Sequence, residues 1–292
     1  MNYPDDFINK IICGDCLEVM KDIPDNSIDL TVTSPPYDNL RSYKGYTFKF
    51  EETANELYRV TKIGGVIVWV VGDATIKGSE TGTSFKQALY FKDIGFNLHD
   101  TMIYQKNSYP FPPQNRYYQQ FEYMFVFSKG KPKKVNLLKQ KSLYSGTANH
   151  TQRNKNGKTE KFMSMAKETR IKDNVWKYDT GYMKTTKDKF TYQHPAMFPE
   201  KLAQDHILSW SNESDIVLDP MCGSGTTCKM AKLNNRRYIG IEISPEYCDI
   251  ARNRVNATPE PLFTLKDTTA VNTKEEGFLD FPLGNVRGNK CT

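Results

Sequence analysis

The stretch that most constrains this chain is Ile216-Val-Leu-Asp-Pro-Met-Cys-Gly-Ser-Gly-Thr-Thr227. Three apolar residues followed by an acid read as a short buried strand, and Gly223 and Gly225 then lead into 226–233, which has helical spacing. Glycines at such a turn let a ligand approach the backbone closely, and the free N–H groups at the start of the helix favour a carboxylate. The next apolar strand, 238–242, ends in a second acid, Glu242. Its distance from Asp219 is close to the ~20 residues at which Rossmann-like sheets place the carboxylate that holds ribose hydroxyls. Strand, acid, glycine turn, helix, strand and acid in this order predict an α/β fold with a ligand at the carboxyl ends of its strands.

The turn lacks the Gly-Lys-Ser/Thr ending of a P-loop, which excludes a phosphate cradle of that kind. A ligand without phosphate suits it better, and S-adenosylmethionine is one. Asp219 would then accept hydrogen bonds from the methionine ammonium, strengthened by charge.

Alternation of strand and helix extends well beyond this region. Residues 28–33, 65–71, 98–104, 123–127, 216–218 and 238–242 suit strands, and 53–61, 84–94, 199–210, 226–233 and 245–253 suit helices. The rhythm predicts a mostly parallel sheet with helices on both faces. It is interrupted between 129 and 193, where Lys, Asn, Thr, Ser and Gly dominate and periodicity is weak. The expected organisation is a catalytic half at 1–128, a basic insertion at 129–193, a cofactor-binding half at 194–256 and a peripheral tail at 257–292.

A second chemically legible segment, Thr33-Ser34-Pro35-Pro36-Tyr37, follows the strand at 28–33. It therefore stands at the same carboxyl edge of the sheet. The prolines have no N–H, so the stiff loop offers acceptors, the Ser34 hydroxyl oxygen and the Pro35 carbonyl. An aromatic amine is a poor nucleophile because its lone pair is delocalised into the ring. Acceptors on both of its N–H bonds help localise that pair toward a sulfonium methyl, and fixed dipoles do so without reorganising. Tyr37 supplies a face for an extruded base, as enzymes working on base atoms require. Taken singly, the loop reads equally as a Pro-Pro turn with a core tyrosine; beside the cofactor turn it reads as catalytic.

Charge locates a partner. The net charge is +6, yet 129–193 holds seventeen Lys and Arg against five Asp and Glu, leaving the remainder of the chain acidic. Such a concentration fits a polyphosphate such as duplex DNA, although a solvated lysine-rich loop has the same composition. Lys155, Lys158 and Lys161 stand in its most polar run and are expected to bind DNA. With 38% hydrophobic and 25% charged residues the chain has a globular composition. No apolar run reaches the roughly 18 residues of a membrane span, and the first residues lack a signal-peptide layout, so no membrane partner and a cytoplasmic location are expected. Cys13 and Cys16 form a CxxC without a second Cys or His pair, so no metal is expected and the six cysteines read as thiols.

The SPPY loop and the DPMCGSGT turn together resemble the bacterial amino-group DNA methyltransferases, which modify cytosine N4 or adenine N6. The order, with the SPPY loop first, the basic stretch second and the glycine turn last, is similar to the β-group of that family. Further likenesses are Gly14-Asp15-Cys16, Arg59-Val-Thr-Lys-Ile-Gly-Gly65, Val70-Val-Gly-Asp73, Gln105-Lys-Asn107, Arg116, Phe121-Glu-Tyr123 and His194-Pro-Ala-Met-Phe-Pro-Glu200. The resemblance implies a Rossmann-like S-adenosylmethionine-dependent fold with a target-recognition region between the halves. By it, Ser34, Pro35, Pro36 and Tyr37 form the catalytic loop. Asp15, Cys16, Phe198, Asp219, Pro220, Gly223, Gly225, Thr226, Glu242 and Ile243 would line the cofactor site, and Arg116 would join the lysines on DNA. Serine rather than aspartate at position 34 leans toward cytosine, with adenine as the alternative. An RNA or protein amide methyltransferase usually carries the glycine turn before the loop, and a non-catalytic DNA-binding protein would have no need of Ser34 and Tyr37. A cognate restriction endonuclease and a homodimer are partners the resemblance allows.

Overall fold

The structure is a computed structural model and describes residues 1–36, 48–107, 115–142, 146–193 and 197–260. In chain order the elements begin with β1 (Lys10–Cys13), α1 (Cys16–Met20), β2 (Ile28–Thr33), α2 (Phe50–Val60) and β3 (Thr61–Val71). A small hairpin follows, β4 (Thr75–Ile76) and β5 (Ser79–Glu80), and then α3 (Thr83–Asp93), β6 (Asn97–Lys106) and β7 (Phe121–Ser128). Next come β8 (Lys139–Lys141), β9 (Gly146–Arg153), β10 (Thr159–Ala166), β11 (Thr169–Ile171) and β12 (Val175–Tyr178). After a 3-10 turn at Lys189–Gln193 the chain ends its described part with α4 (Glu200–Trp210), β13 (Ile216–Asp219), α5 (Thr226–Leu233), β14 (Arg237–Glu242) and α6 (Pro245–Asn256).

Among the described residues eight strands form one sheet in the order β1-β14-β13-β2-β3-β7-β6-β12. All run parallel except β7, which is antiparallel to both neighbours. Parallel strands need helices over both faces, so their residues are apolar on both sides, and β2 and β13 are buried along their whole length. The side-chain period of two sorts each strand between two cores. Leu30, Val32, Val66, Val68, Val70, Val126 and Val217 face α4, α5 and α6 through Leu202, Ile207, Met230 and Ala251. Ile67, Trp69, Phe125, Phe127, Ile216 and Leu218 face α1, α2 and α3 through Leu17, Met20, Leu57 and Phe91, and Ile28 joins them because the register with β3 shifts between Ile28 and Leu30.

The stretch 129–193 departs from its reading as one irregular insertion. Among its described strands β8 to β11 stand off the main sheet, as two antiparallel pairs in which β9 faces β10 and β8 faces β11. Residues 175–178 belong to the main sheet, parallel to β6 at its edge. The reason is alternation within a lysine-rich background: Trp176 and Tyr178 turn into the core while Val175 and Lys177 face out. Some of the charge is also consumed inside the fold. Lys172 Nζ lies 4.2 Å from the Trp176 ring centroid and bonds Asp205 Oδ2 at 3.2 Å, where the Tyr178 hydroxyl also donates at 2.9 Å. Lys129 Nζ donates to the carbonyls of Tyr58 and Thr61, and burial lowers its pKa. The count of lysines therefore overstates what this segment presents to a partner.

Candidate active site

β2 and β13 are adjacent and in register, with Leu30 opposite Val217 and Thr31 opposite Leu218. Their carboxyl ends therefore deliver Ser34 and Asp219 to the same rim. Two buried side-chain bonds fasten the halves there. Thr33 Oγ1 donates to Asp219 Oδ1 at 2.8 Å, and Thr227 Oγ1, one residue into α5, donates to the Val32 carbonyl at 3.0 Å. Beyond them Pro35 is buried while Ser34 and Pro36 are half-buried. Tyr37 lies outside the described residues.

Past Asp219 and the buried Pro220, the chain makes the turn its glycines require. Gly223 has φ 49° and Gly225 φ 78°, the left-handed region that favours glycine. A Cβ on Gly225 would sit 3.0 Å from Ala251 Cβ, so the turn packs directly on α6. Cys222 N–H donates to the Ile241 carbonyl at 2.9 Å, which sets the turn against the end of β14. At that end the Glu242 carboxylate accepts from Gly223 N–H at 2.9 Å and from Ser244 N–H at 2.9 Å. Its carbonyl accepts from Gly14 N–H at 2.9 Å, which draws the β1–α1 loop to the same rim. There Asp15 Oδ1 caps α1 by accepting Leu17 N–H at 2.8 Å, Cys16 is buried, and Ile243 is 40% exposed. Phe198 packs, partly buried, against the core on the α4 side.

Burial dominates the electrostatics. It raises the Asp219 pKa to about 6, against the pull of the Thr33 hydroxyl. It also raises Glu242, against the backbone donors of Ser244 and Gly223. A carboxylate has about four lone-pair sites, more than Thr33 and Met221 occupy on Asp219 or Gly223 and Ser244 on Glu242.

The remaining candidates distribute differently. Thr226 turns its hydroxyl inward, accepting from Arg254 Nη1 at 2.9 Å. Arg116 pairs with Glu80 at 3.6 Å and donates to the Gly78 carbonyl, which ties the segment before β7 to the β4–β5 hairpin. Lys155 and Lys158 are exposed in the turn between β9 and β10, and Lys161 is exposed on β10 opposite Thr151. Thr33, Thr227 and Arg254 are not singled out by the sequence. Only Thr33 carries a signal there, as the last residue of a strand feeding the loop. Among the described residues no three His, Cys, Asp or Glu side chains converge to hold a metal, and no helix is long and apolar enough to cross a membrane.

Residues 28–253, from β2 into α6, match the model of the N6/N4 methyltransferases, a DNA methylase family. The chain belongs to that family. This DNA methylase is 63% identical over 241 residues to the orphan methyltransferase M.BamHII of Bacillus amyloliquefaciens, covering 80% of this chain and 91% of the relative. Among solved structures, the M1.HpyAVI complex with SAM is 26% identical with a TM-score of 0.56, covering 85% of this chain and 98% of the other. The cytosine-N4-specific PvuII DNA methyltransferase shares the fold, with a TM-score of 0.63 at 22% identity over 90% of this chain and 91% of the other. The mostly parallel sheet expected from the strand and helix rhythm is observed, and so is the methyltransferase fold that the resemblance implies.

Proposed function

We propose that this S-adenosylmethionine-dependent DNA methyltransferase transfers its methyl group to N4 of a cytosine flipped out of duplex DNA. The observation that carries the choice of base is Ser34, a neutral hydroxyl in place of a carboxylate, half-buried one residue beyond the Thr33–Asp219 bond.

The rim fits the cofactor on its own chemistry. Asp219 is a buried carboxylate whose Oδ1 already accepts from Thr33 and from Met221 N–H at 3.2 Å, and a methionine ammonium is the cation that would stabilise its charge. Glu242 holds the ribose hydroxyls. Asp15, Cys16 and the exposed Ile243 border the adenine, and Pro220, Gly223, Gly225, Thr226 and Phe198 shape the methionine end. When bound, the sulfonium supplies an electrophilic methyl that leaves with its bond broken toward sulfur. The chain's own part is to hold the amine in line. Ser34 Oγ and the Pro35 carbonyl accept its two N–H bonds, Pro36 stiffens the loop, and Tyr37 stacks on the base. As the new N–C bond forms, the electron pair of the broken S–C bond stays on sulfur and the amine releases one proton to solvent.

The self-paired β9–β10 ribbon, with Lys155, Lys158 and Lys161, reaches for DNA phosphates, and 139–171 replaces 129–193 as the recognition arm. Arg116 acts here through its hold on the β4–β5 hairpin. The name of M.BamHII, an orphan methyltransferase, favours a solitary enzyme over one with a dedicated endonuclease, and a DNA substrate puts its work in the bacterial cytoplasm. A homodimer is compatible with this reading and carries no step of it.

The test is product analysis. Duplex DNA is incubated with the protein and methyl-labelled S-adenosylmethionine and then digested to nucleosides. Label in N4-methylcytosine is the expected result, and label in N6-methyladenine overturns the choice of base.

A further inference from the structure

One charged side chain of the core takes no part in the scheme above, yet touches both walls of the donor pocket. Arg254, on the last turns of α6, is 2% exposed, an unusual place for a guanidinium. All of its N–H directions are engaged. Nε donates to Asp188 Oδ2 at 2.8 Å. Nη1 donates to the Ser224 carbonyl at 3.1 Å, to Ser224 Oγ at 3.2 Å and to Thr226 Oγ1 at 2.9 Å. Nη2 donates to Thr186 Oγ1 at 3.1 Å and to Glu200 Oε1 at 2.7 Å. Lys229 Nζ completes the cluster by bonding Asp188 and Glu200, each at 2.7 Å.

These partners fall into two groups. Ser224 and Thr226 are the glycine turn itself. Glu200 opens α4 two residues after Phe198, and Asp188 and Thr186 belong to the segment that returns from the recognition arm. A planar group with fixed donor directions thus spans the turn on one side and the Phe198 wall on the other. Burying such a cluster gains little stability over an apolar core of the same volume, because desolvation offsets most of the attraction. What it provides is fixed geometry.

We propose that Arg254 is a positioning residue for the methyl donor, setting the spacing between the glycine turn and the Phe198 wall. The inference rests on the donor-pocket reading given above. Lysine at this position keeps a charge for Asp188 and Glu200 but loses the fork that reaches the turn.

Calorimetric cofactor binding and steady-state kinetics of the full chain test it. Arg254→Lys should weaken cofactor affinity and raise the cofactor KM about tenfold, as when one charge-assisted positioning bond is lost, with kcat at saturating cofactor nearly unchanged. Thr186→Val removes a partner of Nη2 remote from the ligand while keeping every charge; it should raise KM in the same direction by a smaller factor, and it serves alone should Arg254→Lys not fold. Wild-type affinity in the folded variants, or a loss confined to kcat, overturns the role of Arg254. Asp219→Ala in the same calorimeter separates the two ideas. Abolished binding there with unaffected Thr186→Val and Arg254→Lys sinks only the positioning role, whereas wild-type binding by Asp219→Ala sinks the pocket.

Discussion

Replacing Asp219 by asparagine exchanges a buried carboxylate for a neutral isostere that retains an acceptor for the Thr33 hydroxyl and for Met221 N–H. Burial raises this acid from 3.8 to about 6 in the folded protein. The folded state therefore binds the proton more tightly than the unfolded chain. The stability this contributes is complete below pH 3.8 and is lost as pH rises through 6. At about 1.4 kcal/mol per pKa unit, ionised Asp219 costs the cofactor-free protein ~3 kcal/mol above pH 7. The neutral amide of the variant carries no such cost. At roughly 2–4 °C per kcal/mol for a domain of this size, Asp219→Asn should melt ~6–12 °C above wild type at pH 7.5. The two should converge near pH 4. Saturating S-adenosylmethionine should raise wild type by ~3 kcal/mol at a hundredfold excess over Kd and leave the variant unmoved. Thermal melts across pH, with and without cofactor, read all of this. A variant that melts at or below wild type at pH 7.5 without cofactor, or a gap that ignores pH, would refute the reasoning.

Two other substitutions probe the turn and the arm. Gly225→Ala meets a left-handed backbone at φ 78° and a contact 3.0 Å from Ala251 Cβ, so it should lower the unfolding free energy by ~1–3 kcal/mol in urea titrations; an unchanged midpoint would mean the turn relaxes freely. Reversing Lys155, Lys158 and Lys161 to Glu should weaken DNA binding and flatten the log K against log salt slope by up to ~3, read by fluorescence anisotropy. The same slope as wild type would place the phosphates elsewhere.

Legibility follows periodicity. The strand at 28–33 and the helix at 226–233 are readable to the residue because β2 lies between covered faces and α5 starts at a glycine turn. The carboxyl-edge logic puts Asp219, Glu242 and Ser34 on one rim, where they stand. β1 and β12 are as short as β13 but lack its continuous apolar run into a glycine turn, so they do not rise above their surroundings, and β12 is further hidden among lysines. α2 begins at Phe50, ahead of the apolar run at 53–61, because Phe50 packs on Trp69 and Phe91, contacts no local pattern reveals. The Arg254 cluster is invisible for a different reason. Its members come from four separated stretches, and a buried arginine has the same letter as a solvated one.

The placement of β1 beside β14 bears on how such enzymes vary. Among the described residues the first strand is a neighbour of the last one, and Arg252 of α6 bonds back to the Ile11 carbonyl at 3.1 Å. Sequence order is thus wound into a near-ring by the sheet. Where the ring is cut matters little to which side chains meet at the rim. A gene could carry its donor half ahead of its acceptor half, or behind it, and both would assemble one reaction chamber.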